Sequence, residues 1–317
     1  MTIAGNAKLE AVRSAFLSIG QEVFSGQREA LNAAFCRTVP CDGEYLEIDA
    51  MGAVPAVQEI VGSRRWGSLR AYVNRARVRR YGPDGLEIPI IRIQNDKAGL
   101  VAQQLADYVR DNASFWEKPI TDFLISNPTC LDGGALLSTT HSYGVSGGTW
   151  SNKTTNALSP SEFFTGISTM EALQLENGEP AGYYPDTLMV GPSNRKMALD
   201  LCSGDRVVPV AATGLEAYAS AVAAATRSNF LTNGNTAIKV IVQPRFIGSY
   251  ATDWLLLDTR REQARPIIIG EAMAPQTISV VNPESDGMVD RSVARFYAEG
   301  QAALLGGAPF SIYGLLA

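Results

Sequence analysis

Ser146 lies in a segment with the spacing of a hydrolase nucleophile. Gly144-Val-Ser-Gly-Gly148 fits the Gly-x-Ser-x-Gly pattern, in which a sharp turn between a strand and a helix exposes the serine. Such an enzyme needs a histidine base downstream of the serine, but the single histidine of the chain, His141, lies upstream. Glycine, serine and threonine flank the motif, which favours a loop. A serine hydrolase acting through Ser146 is therefore a distant alternative.

His141 could also bind a metal ion. A zinc site needs three or four ligands, and the other candidates are carboxylates and the scattered thiols of Cys36, Cys41, Cys130 and Cys202. These cysteines have neither disulfide nor zinc-knuckle spacing, and they are typical of a reduced protein. Glycines 144, 147 and 148 form no dinucleotide or phosphate-binding motif. We therefore expect a structural histidine, no metal site and no cofactor.

An arginine run is the most distinctive charged feature of the sequence. Residues 64–80 contain no acid and seven arginines, namely Arg64, Arg65, Arg70, Arg75, Arg77, Arg79 and Arg80. They fall on both faces of the strand predicted there, so no single face is basic. Residues 101–200 carry 11 acidic against 5 basic residues, and complementary charge fixes the register between subunits. The run thus favours inter-subunit contact over two alternatives, a solvated face and contact with DNA phosphates.

Composition permits a large core and extensive contact surfaces. Of the 317 residues, 46% are hydrophobic and 19% are charged, below the roughly 25% of an average globular protein. Interface cores are depleted in charge, and arginine suits partly desolvated contacts; here 21 of the 27 basic residues are arginine. A net charge of −5 is not typical of a dedicated nucleic-acid binder. Neither a secretory signal nor a membrane span is evident.

The first hundred residues predict a helical segment and a hairpin. Apolar spacing over 7–35 is roughly helical, with interruptions near Gly20 and Gly26, and 36–62 is irregular. Residues 72–81 and 86–93 are strand-like and flank the turn sequence Gly82-Pro-Asp-Gly85. We interpret 68–95 as a long β-hairpin. Since a two-stranded hairpin is marginal alone in water, a projecting one implies a partner surface.

The remainder predicts a mixed α+β fold. Asp96 is a candidate cap for a helix starting near Lys97, Pro119 indicates a break around 113–119, and Ser159-Pro160 opens a helix running to about 176. Residues 127–160 are rich in loops. From 185 onward the pattern predicts helices over 193–201 and 215–226 and strands over 187–190, 238–242, 253–257, 267–269, 292–297 and 309–315.

Several of these segments occur in the order found in a known family. The strongest is Leu131-Asp-Gly-Gly-Ala-Leu-Leu-Ser-Thr-Thr-His141, followed by Ala157-Leu-Ser-Pro160, Gly178-Glu-Pro180 and Tyr184-Pro-Asp-Thr-Leu-Met-Val-Gly-Pro192. Trp254–Asp258, Arg265–Gly270 and Arg295–Gly314 continue the likeness. The chain resembles the Mu-like phage major head subunit family, a branch of the Hong Kong 97-type capsid fold. The resemblance is collinear over about residues 45–317.

The resemblance implies a subunit that acts by self-assembly rather than catalysis. It implies the major capsid protein of a tailed, double-stranded-DNA phage, forming hexamers and pentamers of an icosahedral head, with an encapsulin-type compartment shell as the alternative. Implied partners are portal protein, possibly scaffolding or decoration proteins, and non-specifically contacted DNA, but no membrane. The location would be the virion, and the host cytoplasm during assembly.

The resemblance also implies a division of the chain into parts. Residues 1–60 would form an N-terminal arm, and 61–95 an extended β-hairpin loop overlapping an adjacent subunit. Residues 96–185 and 285–317 would form a peripheral domain with a spine helix, and 186–284 an axial domain.

Overall fold

The computed structural model describes residues 3–26, 35–51, 71–96, 99–142, 148–175, 178–202, 238–281 and 292–317. The helices are α1 (Ile3–Gly26), α2 (Ile90–Asn95), α3 (Leu100–Asp111), α4 (Glu117–Ile125), α5 (Pro160–Glu171) and α6 (Arg195–Cys202). The strands are β1 (Cys36–Pro40), β2 (Tyr45–Met51), β3 (Ala71–Arg77), β4 (Arg79–Tyr81), β5 (Leu86–Pro89), β6 (His141–Ser142), β7 (Thr149–Trp150), β8 (Thr187–Val190), β9 (Lys239–Val242), β10 (Trp254–Leu257), β11 (Ile267–Val280), β12 (Val293–Gly306) and β13 (Ile312–Leu315). Within these ranges, no helix combines the length and hydrophobicity that a membrane crossing requires.

A five-stranded sheet is built around two long antiparallel strands, β11 and β12. β1 joins the free edge of β11 in parallel, and β4 and β5 both pair antiparallel with β12. The sequence predicted only the two ends of this pair, 267–269 and 292–297, as strands. Each strand extends over 14 residues. The parts of each strand with weak strand propensity are held extended by hydrogen bonds to the other strand.

The predicted hairpin over 68–95 is wrong. β3 pairs antiparallel with β2, from Tyr45 opposite Arg77 to Met51 opposite Ala71. β4 and β5 follow each other along β12, at 300–302 and 293–296 respectively, and so form one interrupted edge strand. Residues 90–93, predicted as the end of the second hairpin strand, belong to helix α2 instead. We call the β2–β3 pair the ribbon; residues 52–70, which connect its strands, lie outside the described ranges.

The glycines of the segment 82–85 serve close packing instead of a reversal of the chain. A Cβ on Gly82 would lie 2.5 Å from the carbonyl oxygen of Ala298, and one on Gly85 would lie 3.2 Å from Cβ of Tyr297. Both glycines therefore let the backbone pass close to β12 between its contacts with β4 and β5. A glycine needed for close approach and one needed for a turn look the same in sequence.

The second sheet has four strands in the order β13-β10-β8-β9. β10 is antiparallel to β13 and β8, and β8 is parallel to β9. Every residue of β8 and β10 is buried, as expected for continuous apolar runs in a sheet covered on both faces. Phe163 of α5 and Ala198 of α6 pack in the core on one side of this sheet. The strands predicted over 187–190, 238–242 and 253–257 are thus present, whereas of 309–315 only Ile312–Leu315 is a strand and Pro309–Ser311 forms a 3₁₀ turn.

Helix α1 continues through Gly20, where the sequence predicted an interruption. A Cβ at this position would lie 2.2 Å from Oγ1 of Thr277 and 2.8 Å from its Cβ. Gly20 therefore lets the helix lie directly against β11. Phe16, fully buried, meets the ring of Phe296 edge to face with centroids 5.2 Å apart. The helix ends at Gly26, the second predicted interruption.

Local signals marked the regions where two other helices begin, although α3 starts at Leu100 and not near Lys97. The Asp96 carboxylate accepts hydrogen bonds from the backbone N–H groups of Leu100 and Val101, at 3.2 and 2.9 Å. Ser159 Oγ accepts one from the N–H of Glu162, at 3.2 Å, as an N-cap. The predicted break lies between α3 and α4. The predicted helix over 215–226 falls outside the described residues.

Sheet membership does not follow the predicted border between the axial and peripheral domains. β13, assigned to the peripheral domain, lies in one sheet with β8 to β10, whereas β11, assigned to the axial domain, pairs with β12. One apolar core contains residues of both sheets, among them Leu255, Ile267, Ala302 and Ile312. The domain division remains a prediction.

The contact between α1 and β11 predicts an unusual response to Gly20→Ala. Alanine favours a helix over glycine by about 1 kcal/mol, but this methyl group would clash with the stiff, β-branched Thr277. We expect a net destabilisation of about 1–3 kcal/mol, typical of overpacking, measured as a lower melting temperature. The exposed control on the same helix, Ser14→Ala, should leave the melting temperature unchanged or slightly raised. A stabilised Gly20→Ala variant would contradict the described contact.

Candidate functional site

The ribbon brings two of the predicted contact arginines next to acids of the same chain. Arg75 Nε lies 3.2 Å from Oε1 of Glu47, which stands directly opposite in the β2–β3 register. The Arg75 guanidinium also covers the Tyr45 ring, 3.7 Å from its centroid. Arg77 lies 2.9 Å from Glu44. Cross-strand pairing of this kind could have been found from sequence only with the correct partner strand.

Arg80 is held in a different way, at the edge of the five-stranded sheet. Its Nε donates to Oε1 of Glu299 at 2.7 Å, and a second guanidinium nitrogen donates to Oε2, which gives a bidentate pair. The hydrogen bonds and charge of Arg80 outweigh burial and lower the pKa of the Glu299 carboxyl, while the same pair raises the pKa of Arg80. Arg80 therefore links β4 to β12 within one subunit.

Of the four other predicted arginines, only Arg79 lies in the described residues. Arg79 is exposed and has no ion pair in the part of the chain that the structure describes. Arg64, Arg65 and Arg70 fall in the connection 52–70, outside the described residues. Inter-subunit contact by the seven arginines therefore remains a prediction.

The ribbon ion pairs are exposed, which decides how strongly they hold the arginines. The side chains of Arg77 and Glu44 are 65% and 60% accessible, and such pairs contribute only about 0–1 kcal/mol each. An arginine in such a weak ion pair can leave its partner carboxylate and pair with one on another surface with little loss of free energy. The pairs also reduce the net positive charge that DNA would meet.

A second group of polar residues lies buried around His141. The imidazole is 2% exposed, with Nδ1 2.7 Å from Oδ2 of Asp132 and Nε2 3.1 Å from Oδ1 of Asn152. On one side the ring stacks on Trp150, with centroids 4.5 Å apart, and Trp150 stacks on Phe310 at 4.4 Å. The loop-rich stretch predicted over 127–160 thus contains an ordered polar core.

Asn152 determines the orientation of the histidine ring. Its amide nitrogen donates to the carbonyl oxygens of Leu136 and Pro309, at 2.7 and 3.0 Å, so its oxygen must face His141. That oxygen also accepts from the N–H of Ser138. Nε2 of His141 is therefore a donor, and Nδ1 is the nitrogen that faces Asp132.

Asp132 accepts hydrogen bonds from three directions. Besides His141, the thiol of Cys130 lies 2.7 Å from Oδ1, and the N–H of Gly134 donates to the same oxygen at 2.8 Å. Burial raises the pKa of Asp132, but the hydrogen bonds from His141, Cys130 and Gly134 outweigh it and hold the pKa below its usual range. Burial, and then the Asp132 charge, raise the pKa of the Cys130 thiol.

These contacts bear on two alternatives raised by the sequence, a serine hydrolase acting through Ser146 and a metal site at His141. Both ring nitrogens of His141 are engaged, by Asp132 and Asn152, and Ser146 lies outside the described residues. Cys130, Asp132 and His141 place one donor atom each within 4.8 Å of the others, although they looked scattered in sequence.

The signal that could have found Asp132 is its position before Gly133-Gly134, since the side chain of an aspartate commonly accepts a hydrogen bond from the backbone N–H two residues later. All four cysteines are free and buried.

Comparison with known proteins relates this chain to phage capsid proteins. The sequence profile described as "Phage capsid protein" matches residues 84–302. No curated protein has a significantly similar sequence. Solved structures share the fold at low identity. A chain of the procapsid of bacteriophage JBD30 has 13% identity and a TM-score of 0.52, with 100% of this chain and 76% of that chain covered.

Two further structures cover the chain similarly. A chain of Microbacterium phage Oxtober96 has 12% identity and a TM-score of 0.56, with 90% of each chain covered. A chain of the mature capsid of bacteriophage PhiM1 has 12% identity and a TM-score of 0.52, with 92% of this chain and 87% of that chain covered. The predicted Hong Kong 97-type fold and the predicted function as a phage major capsid protein are confirmed. With more than two thirds of its sequence matched by the profile, the chain belongs to the phage capsid protein family.

Proposed function

We propose that the chain is a Mu-like head subunit whose copies form hexamers and pentamers of an icosahedral shell. The observation that carries this proposal is the ribbon, which is stabilised within the subunit only in part. Leu46, Ala76 and Val78 pack near its base against Ile268 and Ala303, but Val73 is 64% exposed. Two strands that pair only with each other are marginally stable in water, so the part of the ribbon beyond this packing is suited to contact with a further surface. A second copy of the chain is that surface.

The ribbon replaces 61–95 as the proposed extended loop. It consists of β2 and β3 with the connection 52–70, and it carries Arg64, Arg65, Arg70, Arg75 and Arg77. Its proposed docking surface is the α3 region of a neighbouring subunit, the predicted spine helix, where Asp107 and Asp111 are exposed. The weak ion pairs within the ribbon allow its arginines to meet these acids. Arg80, held by Glu299, acts within the subunit instead.

The remaining assignments follow from such a shell. The subunit acts without catalysis, in the virion, after assembly in the host cytoplasm. A portal protein occupies one vertex, scaffolding or decoration proteins are possible further partners, and the enclosed double-stranded DNA is contacted non-specifically through phosphates. With residues from Tyr45 onward assigned to the ribbon, the rest of the proposed arm over 1–60 includes α1 and β1, both of which pack on the subunit's own sheet.

The first test removes the ribbon charges. In the variant Arg75→Ser with Arg77→Ser, we expect an unchanged melting temperature, because both ion pairs are exposed, and a severe loss of particles. Circular dichroism and negative-stain electron microscopy measure the two outcomes. Lys118→Ser is the matched control, since it removes an equally exposed pair with Asp122 on α4. Normal particles in the double variant would count against the role of the ribbon.

The second test separates pairing within a subunit from pairing between subunits. Exchanging the charges, Glu44→Arg with Arg77→Glu, keeps the ion pair inside the ribbon but reverses the charge offered to a neighbour. We expect a folded subunit that assembles at least tenfold less, measured by size-exclusion chromatography and microscopy. Wild-type yield of particles would mean that Arg77 acts only within its own chain.

A further inference from the structure

Three residues around His141 present the donor set of a transition-metal site. They are the Cys130 thiol, the Asp132 carboxylate and the His141 imidazole, whose donor atoms all lie within 4.8 Å of one another. Thiolate, imidazole and carboxylate together suit zinc and chemically similar divalent ions, not calcium or magnesium. Cys130 and Asp132 lie in the turn closed by the short bridge between Thr129 and Ala135, and His141 is the first residue of β6.

The surroundings of His141 already have the arrangement that metal-binding histidines require. A ligand histidine donates its second ring N–H to a fixed acceptor, which sets the orientation of the ring. Here Nε2 donates to Asn152 Oδ1, and Asn152 is fixed by its bonds to Leu136 and Pro309. Nδ1 is consequently the nitrogen aimed at Cys130 and Asp132.

The charge of the cluster also fits a divalent ion. A Cys130 thiolate and the Asp132 carboxylate together carry two negative charges, which a dication balances, and a neutral His141 imidazole adds none. Binding of one Zn²⁺ releases to solvent the protons that the ligand atoms carried. No additional counter-charge has to be buried, which removes the main cost of placing an ion there.

The movement that binding requires is small. The Nδ1–Oδ2 and Sγ–Oδ1 distances of 2.7 Å are those of hydrogen bonds. Tetrahedral zinc with bonds of about 2.0 Å separates nitrogen and oxygen ligands by roughly 3.3 Å. Side-chain rotation of Asp132, which is 25% exposed while the His141 ring is fully covered, supplies this separation. For an ion bound there, this exposed side would be the route of entry and the place of a water molecule as fourth ligand.

We propose that Cys130, Asp132 and His141 bind one zinc-class ion, which fastens the loop 130–141 through Asn152 to the segment before β13. The site lies beside the ribbon, because the side-chain amide of Asn74 donates a hydrogen bond to the carbonyl oxygen of Cys130 at 3.2 Å. The structure of the loop 130–141, which contains the motif Leu131–His141, would then depend on the bound metal.

The test uses Co²⁺ as a spectroscopic substitute for zinc in the full chain freed of metal with a chelator. We expect one equivalent of Co²⁺ to produce a thiolate-to-cobalt charge-transfer band and the intense visible bands of a four-coordinate ion, and Zn²⁺ to abolish both. Cys130→Ser should lose the charge-transfer band, and His141→Gln should weaken binding at least tenfold. Cys41→Ser, a buried thiol elsewhere, is the matched control and should keep the spectrum.

Two results would overturn the inference. One is a folded wild-type chain without a charge-transfer band at one equivalent of Co²⁺. The other is an unchanged band in Cys130→Ser, since the ion would then be bound by another thiol. Because the wild-type titration alone can refute the proposal, it remains testable even if the His141 variant does not fold. Zn²⁺ should also raise the melting temperature of the wild type in a concentration-dependent manner, but not that of Cys130→Ser.

Discussion

The pairing of β11 with β12 is the interaction on which the rest of the subunit depends. Their long antiparallel ladder provides one free edge for β1 and another for β4 and β5. Its face receives α1, whose approach is possible because Gly20 has no side chain against Thr277. The ribbon begins after β1 and ends before β4, so its position too is fixed by this pair. Two strands of ordinary sequence thereby place the N-terminal helix, the arginines and the core.

Sequence-based prediction was correct for elements that are specified by nearby residues. It failed where contacts between distant segments determine the structure. Asp96 and Ser159-Pro160 marked helix starts, and the apolar run at Trp254–Leu257 marked a buried strand, because each signal lies within a few residues of the element it specifies. The hairpin failed because Gly82 and Gly85 have the composition of a turn, whereas their purpose is contact with β12. Arg80 and Glu299 are 219 residues apart, and nothing near either one indicates the other.

The His141 cluster shows the same limit of sequence-based prediction for a group of interacting side chains. The sequence identified the histidine, which lies buried between Asp132 and Asn152. It could not show that Cys130 turns toward the same carboxylate, because a loop sequence does not specify where its side chains point. The orientation of the ring depends further on Pro309, which only the folded chain brings to Asn152.

The attachment of the ribbon has a mechanical consequence. One leg continues from β1 and the other leads into β4, and these strands lie on opposite edges of the same sheet. Tension applied to the ribbon is therefore transmitted across three successive strand pairings, β1–β11, β11–β12 and β12–β4. The Arg80–Glu299 pair reinforces the last of them. Both ends of the ribbon are thus anchored to one sheet, so a force on the ribbon is distributed over the whole sheet.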